Sequence, residues 1–405
     1  MKLRKITDSV FYCGVNDRTT HLFENLWPLP FGVSYNSYLA TGKEKTALID
    51  TVEEGFACHF VDSLRKATEG RGIDYLVVNH VEPDHSGGIR SVVEAFPGIK
   101  IIGNKTTISM IKGFYGIDDS YFIEVKEGDS FDLGGISLQF IMTPMVHWPE
   151  TMMTYMAERK LIFAGDAFGC FGALNGGVLD SSMETDVYFP EMYRYYANIV
   201  GKYGRFVQKA LDKARTIELE YICSTHGPVW HERIREVVDI YDRLSRYEGE
   251  EGVTIIYGSM YGNTAAIAEI IARRLNERGV RNIKIHNASK SHLSDMITDA
   301  FRYKGLIVGS PTYSTELFPP VEALMKALEV RETKNKVMGL FGSFTWASTA
   351  LNKLKGYAER MGIDTIATLD MKQSPDASDV EAAKELADKI ADQLHNFLSP
   401  SLGIN

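Results

Sequence analysis

The sequence predicts two domains in tandem: a mixed α+β half, then an α/β half built as a doubly wound parallel sheet. Three observations lead there. The chain has 405 residues, too many for one ordinary core and about right for two. A polar, Gly-containing stretch, Tyr247-Glu248-Gly249-Glu250-Glu251-Gly252, separates a helical pattern over 232–246 from an apolar strand over 253–257. The pattern also changes there. Before the join, short strands come in hairpin-like groups with helices between them; after it, strand and helix alternate. The domains are expected at 1–249 and 253–405.

The apolar and charged fractions, 44% and 24%, are those of a globular protein. A formal charge of −9 argues against a nucleic-acid partner, which requires a basic surface to displace counterions from phosphate. The first residues hold no apolar stretch long enough for a signal peptide, and no run approaches the roughly 20 apolar residues that cross a bilayer. A cytoplasmic protein without membrane contact is expected. The four cysteines, Cys13, Cys58, Cys170 and Cys223, are scattered and form no C-x-x-C pair. Neither a disulfide framework nor a four-thiolate metal site is expected, and each cysteine reads as a small buried hydrophobe.

In the second half, the strand over 253–257 runs directly into Gly258-Ser259-Met260-Tyr261-Gly262-Asn263-Thr264. A helical pattern follows, with Ile267, Ile270, Ile271 and Leu275 on one face. A glycine- and hydroxyl-rich turn that opens a helix offers backbone N–H groups and the positive dipole end to a phosphate. Neither G-x-x-x-x-G-K-[ST] nor G-x-G-x-x-G is present, which excludes the Walker loop and the usual dinucleotide fingerprint. The loop contains no Lys or Arg, so Ser259, Tyr261, Asn263, Thr264 and main-chain donors would hold the phosphate. It resembles the FMN-phosphate loop of flavodoxins. A strand over 305–309 ends in Ser310-Pro311-Thr312-Tyr313, and a strand over 337–341 ends in Gly342-Ser343-Phe344-Thr345-Trp346. In an open parallel sheet, loops at the strands' carboxyl ends share one crevice. Tyr313 and Trp346 are therefore placed to flank a flavin ring. A fourth loop, Gln373-Ser374-Pro375, is a further candidate for that edge.

In the first half, a strand over 75–79 leads into His80-Val-Glu82-Pro-Asp84-His85-Ser-Gly, read as a loop because of Pro83 and the following glycines. Matching positions recur: a strand over 136–143 precedes His147, a strand over 161–165 precedes Asp166, and a strand over 221–225 precedes His226. Each candidate ligand thus follows the carboxyl end of an apolar run. His21, His59, His231, His286 and His292 lack that context and read as structural.

The constellation is the signature of the metallo-β-lactamase superfamily with one change. Hydrolytic members resemble H-x-H-x-D-H, whereas this chain has H-x-E-x-D-H, with Glu82 in the second His position. Zinc sites favour imidazole. A hard anionic carboxylate instead favours a metal that cycles through a trivalent state.

With its flavodoxin-like second half, the chain resembles the flavodiiron proteins over essentially its whole length. Ser34-Tyr-Asn-Ser-Tyr38, Asp166-Ala-Phe-Gly169 and Tyr195-Tyr-Ala-Asn198 share in that likeness. The resemblance implies a metallo-β-lactamase-like αββα sandwich followed by a flavodoxin-like domain. One iron would take His80, Glu82 and His147, and the other Asp84, His85 and His226, with Asp166 bridging. Tyr196, or its neighbour Tyr195, is the candidate catalytic tyrosine, an electrostatic stabiliser beside the irons. FMN would rest on Ser259, Met260, Tyr261, Gly262, Asn263, Thr264, Pro311, Thr312, Tyr313, Ser343, Phe344, Thr345 and Trp346.

The implied activity is reduction of dioxygen to water, of nitric oxide to nitrous oxide, or both. Electrons would pass from an external donor (rubredoxin, a deazaflavin or another flavoprotein) through FMN to the irons. A head-to-tail homodimer, or a dimer of such dimers, would bring one chain's FMN beside the other's irons. The chain looks like the short form of the family, without a Cys-rich rubredoxin module. Many members carry a His ahead of the Ser-Tyr-Asn segment. Here the region reads His21-Leu-Phe-Glu-Asn-Leu-Trp27, leaving Glu24 or Trp27 to fill the space and the gas preference open. The rival readings are a zinc hydrolase with a regulatory second half, which Glu82 opposes, and an FMN electron carrier, which the complete ligand set opposes.

Overall fold

The computed structural model describes residues 3–398. The chain forms two compact units, Met1–Asp242 and Arg243–Asn405. The division falls inside the helix Ile234–Ser245, ahead of the expected join. The polar stretch that reads as a linker is already structured: Glu250 begins the strand Glu250–Tyr257 and pairs with Arg243 at 3.2 Å and Arg302 at 2.8 Å. Tyr247 lies 6.0 Å from the Phe301 ring. Among the described residues, no helix is long and apolar enough to cross a membrane.

The first unit is an αββα sandwich. One sheet has the strand order Arg4–Lys5, Val10–Tyr12, Tyr38–Thr41, Thr46–Ile49, Tyr75–Val77, Lys100–Gly103 and Phe122–Glu124. The other runs Ser130–Asp132, Ser137–Met142, Met152–Met156, Leu161–Gly165 and Tyr221–Ser224. The two inner faces meet in one apolar cluster: Tyr38, Ala47, Ile49, Val77 and Ile102 from the first, and Leu138, Phe140, Met156, Phe163 and Cys223 from the second. The strand Met152–Met156 is buried along its whole length, as a central strand covered on both faces must be.

Leu161–Gly165 ends directly before the candidate ligand Asp166, and Tyr75–Val77, Ser137–Met142 and Tyr221–Ser224 stop two to five residues ahead of theirs. The segment after Val77 is not wholly a loop. Pro83–Ser86 is a short helix with Pro83 at its first position, where the missing N–H costs nothing and the fixed φ suits the helix. Three cysteines are buried, but Cys58 is exposed on the helix Ala57–Ala67, so the expected burial fails there.

The second unit is a sheet with the order Ile283–Asn287, Glu250–Tyr257, Tyr303–Tyr313, Val337–Phe344 and Thr365–Lys372, all parallel. Numbered along the chain this is 2-1-3-4-5, the flavodoxin-like order, with its switch point between the first and third strands. Two strands run longer than their apolar cores suggest. Tyr303–Tyr313 turns back through Ser314 and Thr315, at φ +50° and +63°, to pair Thr312 with Leu317. Two consecutive positive φ values suit a two-residue hairpin. Pro311 and Thr312 thus belong to a strand end rather than a loop.

Candidate metal centre and flavin crevice

Seven side chains gather beyond the strand ends of the first unit. The donor atoms of His80, Glu82, His147 and Asp166 form one set, and those of Asp84, His85 and His226 another; within each set they lie within 4.8 Å of one another. Asp166 faces both. Its Oδ2 lies 3.0 Å from His147 Nε2 and 3.4 Å from His80 Nε2, while Oδ1 lies 2.9 Å from His85 Nε2 and 3.9 Å from His226 Nε2. Glu82 Oε2 lies between His80 Nε2 at 3.2 Å and His147 Nε2 at 3.1 Å. Asp84 Oδ2 approaches His85 Nε2 at 3.2 Å and His226 Nε2 at 3.3 Å.

The surroundings orient the rings. His80 Nδ1 meets Glu150 Oε1 at 2.7 Å, and His226 Nδ1 meets the Ser34 carbonyl at 2.7 Å. Donation by Nδ1 in each leaves the Nε2 lone pair free for a metal. Glu150 also accepts the Val81 N–H at 2.9 Å, and Asp50 accepts the Asn79 N–H at 2.7 Å, so the segment that carries His80 is held from two sides. Both carboxylates escape a sequence reading, because they reach His80 and its neighbours across long chain separations.

The polar chemistry asks for cations. Asp84 Oδ1 and Oδ2, both ring nitrogens of His85 and His226 Nε2 are buried without aligned hydrogen bonds, a rare and costly condition. Burial pushes the His147 pKa down, but the Asp166 and Glu82 carboxylates outweigh it and raise it to about 9. His85 likewise rises to about 9, against burial, beside Asp84 and Asp166. Burial opposes ionisation of Asp166, yet the surrounding imidazoles hold its carboxyl well below the usual range. Without a metal the cluster needs protons to balance its charge, and divalent or trivalent ions replace them naturally.

Tyr195, not Tyr196, faces this cluster. Its ring lies 5.4 Å from His226 and 5.1 Å from Phe171, and its hydroxyl is buried without a partner. Burial, then the charges of Asp166 and Glu82, raise its pKa well above 10. Tyr196 begins a π-helical turn, Tyr196–Val200, and points to Tyr241 at 5.0 Å. Neighbours on a helix project about 100° apart, so only one can face the site.

In the second unit, Ser259, Met260, Tyr261, Asn263, Thr264, Pro311, Thr312, Ser343, Phe344 and Thr345 line one crevice together with Gln373. Gly262 precedes the helix Asn263–Glu277 at φ +96° and gives it no side-chain cap. The Ala265 N–H reaches Ser259 Oγ at 3.4 Å, which leaves those of Asn263 and Thr264 to face an anion. Ser259 Oγ accepts the Gly262 N–H at 3.1 Å, and Thr264 and Ser343 pair at 2.9 Å, which pins two of the loops. Tyr313 and Trp346 stand outside the lining: Tyr313 is 46% exposed and Trp346 86%. The structural histidines behave as expected. His231 stacks on Tyr221 and His286 pairs with Asp299, while His292 caps the helix Leu293–Arg302.

Residues 33–227 match the ODP family beta lactamase model, and residues 255–386 match the flavodoxin model. The chain is 34% identical over 367 residues to the anaerobic nitric oxide reductase flavorubredoxin of Pectobacterium carotovorum subsp. carotovorum (strain PC1), covering 89% of this chain and 72% of the relative. It is 33% identical over 366 residues to the protein of that name from Escherichia coli O6:K15:H31, covering 89% and 76%. Among solved structures, it superposes on the rubredoxin oxygen:oxidoreductase of Desulfovibrio gigas with a TM-score of 0.93 at 28% identity, covering 98% of this chain and 100% of that one. The flavodiiron protein of Giardia intestinalis shares the fold at TM-score 0.93 and 24% identity, covering 99% of each chain. The chain is an oxidoreductase and belongs to the flavodiiron protein family.

Proposed function

We propose that the protein is a flavodiiron reductase of nitric oxide, dioxygen or both, taking electrons from an external donor through FMN. The observation that carries this reading is the split of Asp166, one oxygen toward His80 and His147 and the other toward His85. A bridging carboxylate between two ligand sets suits a pair of ions better than one. His80, Glu82 and His147 would hold the first iron, and Asp84, His85 and His226 the second. The helix start at Asn263, with Ser259 and Thr264, would hold the FMN phosphate. When bound, two irons and FMN supply the two electrons that couple two NO to N2O and water, or the four that reduce O2 to two waters.

The residues supply the rest. Phe23, Phe171 and Tyr195 wall the His226 side with aromatic rings. The Tyr195 hydroxyl, buried without a partner, offers a hydrogen bond to a charge that develops on bound substrate. Exposed apolar side chains border both sites: Leu22 on the metal pocket with Leu26 in the same hairpin, and Met260, Tyr261, Tyr313 and Trp346 on or beside the crevice loops. They support a head-to-tail homodimer, or a dimer of dimers, that joins one copy's crevice to the other's metal pocket.

The test is anaerobic reduction followed by stopped-flow mixing with NO and with O2, alongside metal analysis of protein from an iron-fed culture. Reoxidation by at least one gas much faster than for free FMN, with about two irons per chain, is the expected outcome. Two zincs per chain and no gas consumption would overturn it.

A further inference from the structure

Beside the Asp166 carboxylate stands a hydroxyl that belongs to no candidate ligand. Thr225 Oγ1 donates to Asp166 Oδ1 at 2.5 Å, and both side chains are buried. Parallel pairing of Leu161–Gly165 with Tyr221–Ser224 sets the two strand ends side by side, so Asp166 follows one and Thr225 the other. The ends are laced together. Thr225 N–H donates to the Gly165 carbonyl at 2.9 Å, and Ser224 Oγ to the Ala167 carbonyl at 2.7 Å. Asn36 and Tyr38 hold the far side of the second segment. The Asn36 N–H donates to the Thr225 carbonyl at 2.8 Å, and the Tyr38 hydroxyl to the Ser224 carbonyl at 2.6 Å. Thr225 thus offers its hydroxyl from a fixed backbone, and a β-branched side chain has few rotamers through which to withdraw it.

The two oxygens of Asp166 are held differently. Oδ2 faces His147 at 3.0 Å and His80 at 3.4 Å, both candidate ligands. Oδ1 faces His85 at 2.9 Å and also receives the Thr225 hydroxyl. A carboxylate oxygen has lone pairs enough to accept that bond and face an ion at once. The two ligand sets are matched in kind, each with two imidazoles and a carboxylate, but they are not equally braced. In the first, Glu150 fixes His80 at 2.7 Å and also takes the Val81 N–H at 2.9 Å. In the second, the Ser34 carbonyl fixes His226, but His85 Nδ1 is buried without a partner. An ion in the second set therefore depends more heavily on where Oδ1 is aimed.

We propose that Thr225 is a positioning residue whose hydroxyl locks Asp166 with Oδ1 turned to the ion of Asp84, His85 and His226, and so governs how firmly that ion is kept. This rests on the diiron reading. The torsion that aims a carboxylate is broad and soft, so the carboxylate alone does not hold its own direction. Without the hydroxyl, Asp166 turns toward the better-braced first set and gives up its share in the second ion. The loss falls on one ion of the pair.

The test loads metal-free full-length protein with cobalt(II) and follows release of each ion to a chelator, in wild type and in Thr225→Val, Thr225→Ala and Thr225→Ser. Expected are two cobalt ions per chain in wild type. Thr225→Val keeps the side-chain shape without the hydroxyl, and should release one ion about tenfold faster while the other leaves at the wild-type rate, as when a metal ligand loses its outer hydrogen bond. Magnetic coupling of the two cobalt ions through the shared carboxylate, read by electron paramagnetic resonance, should weaken in step. Thr225→Ser keeps the hydroxyl and should restore both readings. Adding Glu150→Gln, behind His80, should speed the remaining ion as well. Thr225→Ala removes the hydroxyl without adding bulk, so it carries the test should Thr225→Val misfold. Release and coupling equal to wild type in the Val and Ala variants, equal acceleration of both ions, or no rescue by Thr225→Ser would overturn the proposal and leave the diiron reading standing. Fewer than two cobalt ions in wild type would overturn the diiron reading and this proposal with it.

Discussion

Glu82 Oε2 stands between two imidazoles, 3.2 Å from His80 Nε2 and 3.1 Å from His147 Nε2, and on the proposed diiron reading it is the position that sets the metal preference of the site. Replacing its carboxylate with imidazole should move the site toward zinc. Glu82→His, purified from medium containing both metals, is therefore expected to raise the zinc-to-iron ratio several-fold by elemental analysis. Behind His80, Glu150 fixes the ring at 2.7 Å. Glu150→Gln keeps a hydrogen bond but loses the charge, and should weaken metal retention about 10-fold to 100-fold while flavin content is unchanged. The two tyrosines separate cleanly. Tyr195→Phe should lower turnover by about 10²-fold with metal and flavin intact, because a preorganised donor is lost; Tyr196→Phe should leave turnover nearly unchanged. That these seven side chains gather at the strand ends was legible in the sequence because each follows an apolar strand, and a burial pattern survives in one dimension. Glu150, Asp50 and the choice of Tyr195 were not. Their roles arise from contacts across the fold, such as His80 to Glu150 over 70 positions, or from the phase of a π-helical turn.

At the scale of elements, sequence punctuation marked strand cores better than strand ends. Pro83 suggests a break, yet it starts the helix Pro83–Ser86 because a first-turn proline loses no bond. The turn at Ser314 and Thr315 lacks glycine, so nothing in the sequence announces that Tyr303–Tyr313 reaches so far. The phosphate loop was legible because its glycine, hydroxyls and following helix lie together in the chain. Ser259→Ala removes the oxygen that holds Gly262 N–H, and should weaken FMN binding about tenfold in apoprotein titration.

The opposite end of the same sheet carries a pH-dependent element. Lys336 is buried and donates to the Phe301 and Tyr303 carbonyls at 2.8 and 2.7 Å. Burial, then the charge of Lys304, lowers its pKa to about 7, against about 10.4 in an unfolded chain. Between these values the unfolded state binds more protons, so stability rises with pH from about 7 towards about 10. The gain approaches about 1.4 kcal/mol per pH unit within that window. The unfolding midpoint of the flavodoxin unit should therefore climb from pH 7 to pH 9 in wild type, and Lys336→Met should lose most of that slope.

For the whole molecule, the question is which flavin serves which metal pair. In a head-to-tail dimer each working centre is composite, built from one copy's crevice and the other copy's cluster. Consider a chain that cannot hold metal, through His147→Ala, and a second that cannot hold flavin, through Ser259 and Thr264 both changed to Ala. Each alone is inactive. Co-assembled at equal amounts, about half of the dimers are mixed by random pairing, and each mixed dimer holds one intact composite centre of two. The mixture should thus recover about a quarter of the wild-type rate, whether the gas is NO or O2. If each chain instead used its own flavin, every centre in the mixture would lack one cofactor and the rate would stay at the background of the parents. Simply mixing the two folded variants separates assembly from repair: recovery that appears only as subunits exchange, and that rises with total concentration at dilutions where dimers part, follows from mass action on the dimer. Immediate full recovery on mixing would instead point to electrons passing between separate molecules, and would overturn the composite centre.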